Sequence, residues 1–102
     1  MLELDPDYID ALINRASFLY ERAEYAASRR DVEHGLNLAP GNSQLLCTRG
    51  LLAAEEGRPE EAYSAFTAAL EGDPSLFEAW TNRAVLAYEQ GNIDAPYLKN
   101  VG

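Results

Sequence analysis

The chain contains one histidine, His34, and one cysteine, Cys47, the side chains best suited to nucleophilic or general-base chemistry near neutral pH. A thiolate activated by an imidazole needs the two groups within hydrogen-bond reach and a third group to orient the base. His34 follows the charged run Arg29-Arg30-Asp31-Val32-Glu33, the pattern of a solvated helical face. Cys47 reads as a small apolar filler on a different helix, and no third residue accompanies the pair. Metal-ligand spacings and phosphate-cradling glycine loops are missing from the sequence, so no cofactor is expected. The acids Glu60-Glu61 follow Pro59 in what reads as a helix's first turn, where negative charge suits the helix dipole. That placement explains them without general acid–base chemistry, and the expectation is a protein that is not an enzyme.

A different set of residues has the spacing of a recognition surface. Ile13, Ser17, Tyr20 and Glu21 stand at i, i+4, i+7 and i+8, which puts all of them on one face of a helix. The same spacing returns in Cys47, Leu51, Ala54 and Glu55, and again in Thr81, Val85, Tyr88 and Glu89. Asn14 and Asn82 flank this stripe, with Thr48 at the aligned position, and the two amides are equipped to hydrogen-bond a partner's backbone. Small, apolar, aromatic and acidic groups mixed in this way suit an extended peptide or a helix. The competing explanation is that they only complete the packing of neighbouring helices.

These stripes presuppose helices, and an internal repeat supplies them. Asp5-Pro6-Asp7, Ala39-Pro40-Gly41 and Asp73-Pro74-Ser75 place three prolines 34 residues apart. The same shift aligns Asn14-Arg15-Ala16 with Thr48-Arg49-Gly50 and Asn82-Arg83-Ala84, and it aligns Leu12, Leu46 and Trp80. Ala23, Gly57 and Gly91 recur where a first helix has to stop so that a second can fold back. Periodicity and capping residues predict helices over about 7–22, 25–38, 43–56, 59–72 and 76–90, with Asn42 or Ser43 capping the third and Pro59 opening the fourth. Each unit is a helical hairpin, and no stretch alternates apolar and polar residues as a strand would.

Taken together, these residues resemble the tetratricopeptide repeat family. The pattern runs from the bulky Leu12, Leu46 and Trp80 through the small Ala16, Gly50 and Ala84. It continues through Ser28 and Ala62, Val32 and Phe66, and Gly35 and Ala69 to the prolines. The resemblance implies an all-α fold, a right-handed superhelix of antiparallel helix hairpins with five helices plus a short sixth segment. Its units would be 7–40, 41–74 and a partial 75–102. It also implies that the stripe of the first helices lines a concave groove that receives a partner protein. Arg15, Arg49 and Arg83 depart from the leucine usual in the family and are expected to lie over the helix pair and pair with acids such as Asp31. The positions that in some family members clamp the carboxylates of chaperone tails hold Ile13, Ser17, Thr48, Glu78 and Asn82, none of them a cation. Glu21, Glu55, Glu78 and Glu89 would repel an acidic tail, so a neutral or basic segment is the expected partner.

Composition narrows the partners further. With 17 acidic against 8 basic residues the net charge is -9, which repels phosphate backbones and anionic lipids. Neither nucleic acid nor a membrane is expected as a partner, and no apolar run approaches the roughly 20 residues of a membrane span. A lone cysteine is compatible with a reducing compartment, and the cytoplasm is the expected location. Arginine greatly outnumbers lysine, a usage that GC-rich bacterial coding produces. Leu4-Asp5-Pro6 matches the end of a repeat, and Gly91-Asn92-Ile93-Asp94 begins a sixth helix whose pattern is abandoned from Ala95 to Gly102. Without a cap, Phe77, Trp80 and Leu86 are expected to stand uncovered, and self-association through the end helices is the alternative role.

Overall fold

Asn42 begins the third helix as its type predicts: its side-chain oxygen accepts a hydrogen bond from the Leu45 N–H at 3.0 Å. The computed structural model describes residues 6–89. Within them lie α1 (Pro6–Glu21), α2 (Tyr25–Leu38), α3 (Ser43–Glu55), α4 (Pro59–Gly72) and α5 (Phe77–Glu89), with no strand among the described residues. These bounds match the repeat to within a residue or so at each end. The expected sixth segment and the Leu4-Asp5 portion of the repeat match lie outside the described residues.

The two hairpin turns are built alike. In the first, Ala23 sits in the left-handed region at φ 64, its N–H reaching Tyr20 O at 2.9 Å while the Glu24 N–H reaches Leu19 O at 2.9 Å. In the second, Gly57 takes φ 75, its N–H bonds Ala54 O at 3.2 Å, and the Arg58 N–H bonds Ala53 O at 2.9 Å. Both are Schellman closures, which satisfy the last carbonyls of the helix and reverse the chain. Pro59 then opens α4 where a missing N–H costs nothing, and Glu60 and Glu61 face the positive end of the helix.

Small residues set how closely the helices approach. A Cβ on Gly50 would lie 2.5 Å from the Phe66 ring, and one on Gly35 would lie 2.5 Å from Leu45 Cδ1. Glycine is therefore what lets α3 pack on α4 and α2 on α3. Ala16 and Ser28 are fully buried at the α1–α2 contact, and Ala62 takes the place of Ser28 in the next hairpin. Two apolar clusters result. Ile9, Ile13, Val32, Leu36, Leu45 and Leu52 form one, and Cys47, Ala53, Phe66, Leu70, Ala79 and Leu86 belong to the other. Helix α3 contributes to both, and Leu46 packs against each of them.

The expected exposure at the α5 end holds for Phe77 and Trp80, which are 81% and 45% exposed, and fails for Leu86, which is 7% exposed. Leu86 points back into the α3–α4 core, while Phe77, Trp80, Val85 and Tyr88 of α5 stay uncovered. Arg15 behaves as expected, gripping Asp31 through Nε at 2.7 Å and Nη2 at 2.8 Å. Arg49 lies within ion-pair range of Glu61 and Glu33. Arg83 differs: it donates to Thr67 Oγ1 at 3.1 Å and lies over the rings of Tyr63 and Trp80, a cation–π arrangement in place of an acid partner. Among the described residues, no helix is long and apolar enough to cross a membrane.

Candidate functional site on the inner helices

The Cα traces of α1 and α3 approach within 8 Å, as do those of α3 and α5, while α2 and α4 stay further apart. The odd-numbered helices thus crowd together along one side, and the array bends toward them. Helices α2 and α4 are joined instead by long side chains. Arg29 of α2 bonds Glu56 at 2.7 Å and comes within 3.5 Å of Glu61 of α4. This outer charge network ties one hairpin to the next.

On the inner side a hollow of about 230 Å³ opens between α1, α3 and the start of α5. Helix α1 contributes Ile13, Asn14, Ser17, Tyr20 and Glu21, and α3 contributes Gln44, Cys47, Thr48 and Leu51. Leu76 and Glu78 close the α5 side. Eight of the residues singled out by helical spacing are therefore gathered in one place. Glu55 adjoins them, because the Tyr20 hydroxyl donates to its carboxylate at 3.4 Å. The α5 residues Thr81, Asn82, Val85, Tyr88 and Glu89 do not line the hollow, although Val85 and Tyr88 stand exposed further along the same array.

The floor is apolar and largely closed, with Ile13 and Cys47 buried and Leu51 half-buried. Thr48 is buried too, and its hydroxyl donates to the Gln44 carbonyl of its own helix at 3.1 Å, so it contributes shape more than polarity. Asn82 likewise turns its amide N–H to Glu78 O at 2.9 Å, which removes that donor from the role expected of it. Asn14, Ser17 and Gln44 remain exposed at the rim. Spacing missed Gln44 and Leu76. Gln44 lies three, four and seven residues before Cys47, Thr48 and Leu51 on the same face of α3, so helical spacing could have found it, whereas Leu76 precedes α5 and no periodicity within a helix marks it.

Negative charge dominates the electrostatics. Glu21 and Glu78 line the hollow, Glu55 adjoins it, and among the described residues no lysine or arginine lines it. Burial, together with the Glu55 carboxylate, Tyr25 and Glu78, pushes the Tyr20 phenol up to about 12, so it stays a protonated donor. Burial pushes the Cys47 thiol up to about 12 as well, with Glu78 adding to the shift. A thiol held in that state is a poor nucleophile. His34 lies elsewhere, exposed on α2, with its Nε2 3.0 Å from the Tyr8 hydroxyl and the two rings meeting edge to face. The Cys47–His34 pairing weighed from the sequence is not assembled.

No family model matches the chain. Tetratricopeptide repeat protein 6 of Homo sapiens is 26% identical over 94 residues, which are 89% of this chain and 18% of that protein. DnaJ protein P58IPK homolog B of Oryza sativa subsp. japonica is 29% identical over 99 residues, 97% of this chain and 20% of that protein. The chain thus spans about a fifth of the length of these two relatives.

Proposed function

From the premise that five consecutively packed helices, similar to a protein named for tetratricopeptide repeats, form tetratricopeptide-like hairpins, we propose that this chain is a non-enzymatic interaction module, with units 7–40, 41–74 and 75–102. Its inner face receives a segment of a partner protein, neutral or basic in charge. The observation that carries this reading is the hollow between α1, α3 and α5: an apolar floor, an acidic rim and no cation among the described residues of its lining. Such a site takes up an apolar or cationic side chain and disfavours a carboxylate-rich tail or a phosphate backbone. The expected setting is the cytoplasm. Binding of a panel of short peptides differing only in charge tests the proposal. Tyr20→Ala, at the wall of the hollow, should weaken the neutral and basic members while circular dichroism stays unchanged; binding that survives the substitution would place the partner elsewhere.

A second reading rests on the α5 edge, where Phe77 and Trp80 stand exposed beside Tyr63. Covering each large side chain is worth about 1.5–3 kcal/mol, enough to drive pairing of two copies through this edge. Sedimentation velocity across a concentration series separates the readings, since a strict monomer excludes self-association.

A further inference from the structure

One position of the repeat holds arginine each time, as Arg15, Arg49 and Arg83, and the first two are matched by acids. Arg15 grips Asp31 at 2.7 Å, and Arg49 lies 3.6 Å from Glu61 and 3.9 Å from Glu33. Arg29 joins the second group, 3.4 Å from Glu33 and 3.5 Å from Glu61. One repeat further on, the same places carry different chemistry. Thr67 stands where Glu33 stood and Tyr63 where Arg29 stood, so Arg83 meets a hydroxyl and a ring in place of a carboxylate and a second arginine. Among the described residues no acid comes within ion-pair range of Arg83; its Nη1 donates to Thr67 Oγ1 at 3.1 Å, and its guanidinium lies 5.3 Å from the Tyr63 ring centre and 5.0 Å from that of Trp80. The indole is itself fixed, because Trp80 Nε1 donates to Pro74 O at 2.7 Å. A guanidinium has several N–H donors, and the single bond to Thr67 leaves room for a forked pair to a carboxylate.

We infer that the α4–α5 edge docks a segment of another protein that presents one carboxylate flanked by large apolar side chains. The carboxylate takes the fork of Arg83, and its apolar neighbours cover Phe77, Trp80 and Tyr63, all exposed around that cation. Stacking on two rings holds the guanidinium in place before the partner arrives, so little ordering remains to be done on binding. Charge selects the occupant, since Arg83 is a local cation on a chain of net charge -9. Tyr63 and Thr67 also line a depression on α4 whose first and last residues along the helix are Glu60 and Glu71. Those two carboxylates admit a single acid beside Arg83 and turn away a run of them. A second copy of the chain is less well matched, because pairing edge to edge about the middle of α5 sets Arg83 against Arg83. The surface is separate from the inner hollow, whose lining includes none of these side chains, and does not depend on the groove reading.

Fluorescence anisotropy of the full chain with short labelled peptides tests this. One carries a single glutamate between leucines, the second has glutamine in its place, and the third has a run of glutamates there. The single-glutamate peptide should bind about tenfold more tightly than either of the others. Arg83→Gln should erase that preference with helicity intact. Thr67→Glu, which restores the acid of the earlier hairpin, should erase it as well by engaging Arg83 from within. Tyr20→Ala, at the wall of the hollow, should leave it unchanged, whereas a preference lost on Tyr20→Ala places the peptide in the groove and overturns the inference. Equal affinity for the glutamate and glutamine peptides, affinity that rises with the run of glutamates, or a preference that survives Arg83→Gln or Thr67→Glu overturns it too. So does failure of all three peptides to bind. A dimer in sedimentation velocity at the assay concentration that the single-glutamate peptide does not dissociate gives the edge to a second copy, which also overturns it.

Discussion

The Ser28 hydroxyl donates to the backbone carbonyl of Ala16 at 2.7 Å, and both residues are fully buried where α2 crosses α1. Ala62 at the corresponding place of the second hairpin shows that the contact tolerates a side chain without a hydroxyl. Ser28→Ala should therefore cost only the net worth of one buried hydrogen bond, about 1 kcal/mol, seen as a lower urea midpoint at unchanged slope.

The two Schellman turns differ in one residue. Ala23 holds φ 64 with a Cβ present, whereas Gly57 holds φ 75 without one. Ala23→Gly relieves the left-handed strain but adds freedom to the unfolded chain, for a net gain of about 0.5 kcal/mol, and Gly57→Ala should lose about 1 kcal/mol. Thermal unfolding of the two variants should move in opposite directions.

Acid should dismantle the outer charge network. Burial works against the ionised form of Glu61, but Arg29, Arg58 and Arg49 outweigh it and hold its carboxyl below the ordinary 4.5. With the folded value depressed, the contribution of Glu61 to stability is complete above that value and is lost as the pH falls through the folded one. The melting temperature of Glu61→Gln should thus lie below that of the parent at pH 6, and the gap should close as the pH drops beneath 4.5.

Much of this architecture is legible in the residues. The prolines at 6, 40 and 74, with Ala23 and Gly57 between them, mark where hairpins turn because backbone chemistry alone decides those positions. The helical stripe likewise anticipates most of the hollow, since side chains four and seven apart share a face whatever lies opposite. What a single helix cannot disclose is how far its neighbour is rotated and shifted. That is why Leu86 turns inward, Arg83 stacks on Tyr63 and Trp80, and Leu76 joins the hollow unannounced.

Cys47 offers a direct check on the closed floor. With 3% of its surface exposed and its thiol pushed up to about 12, it should react slowly with a disulfide reagent, with little acceleration between about pH 7 and 9, where a free thiol ionises. Addition of urea should restore the ordinary rate.

Helix α3 sends Leu45 and Leu52 into one cluster and Cys47 and Ala53 into the other, with Leu46 touching both. A wall common to two rooms cannot be taken down from one side only. Melting of either hairpin strips α3 of half its cover, so the described helices should yield in one concerted step. Tension arriving at the first hairpin is then felt by the last through the shared helix, which makes α3 the element that turns separate repeats into a single spring.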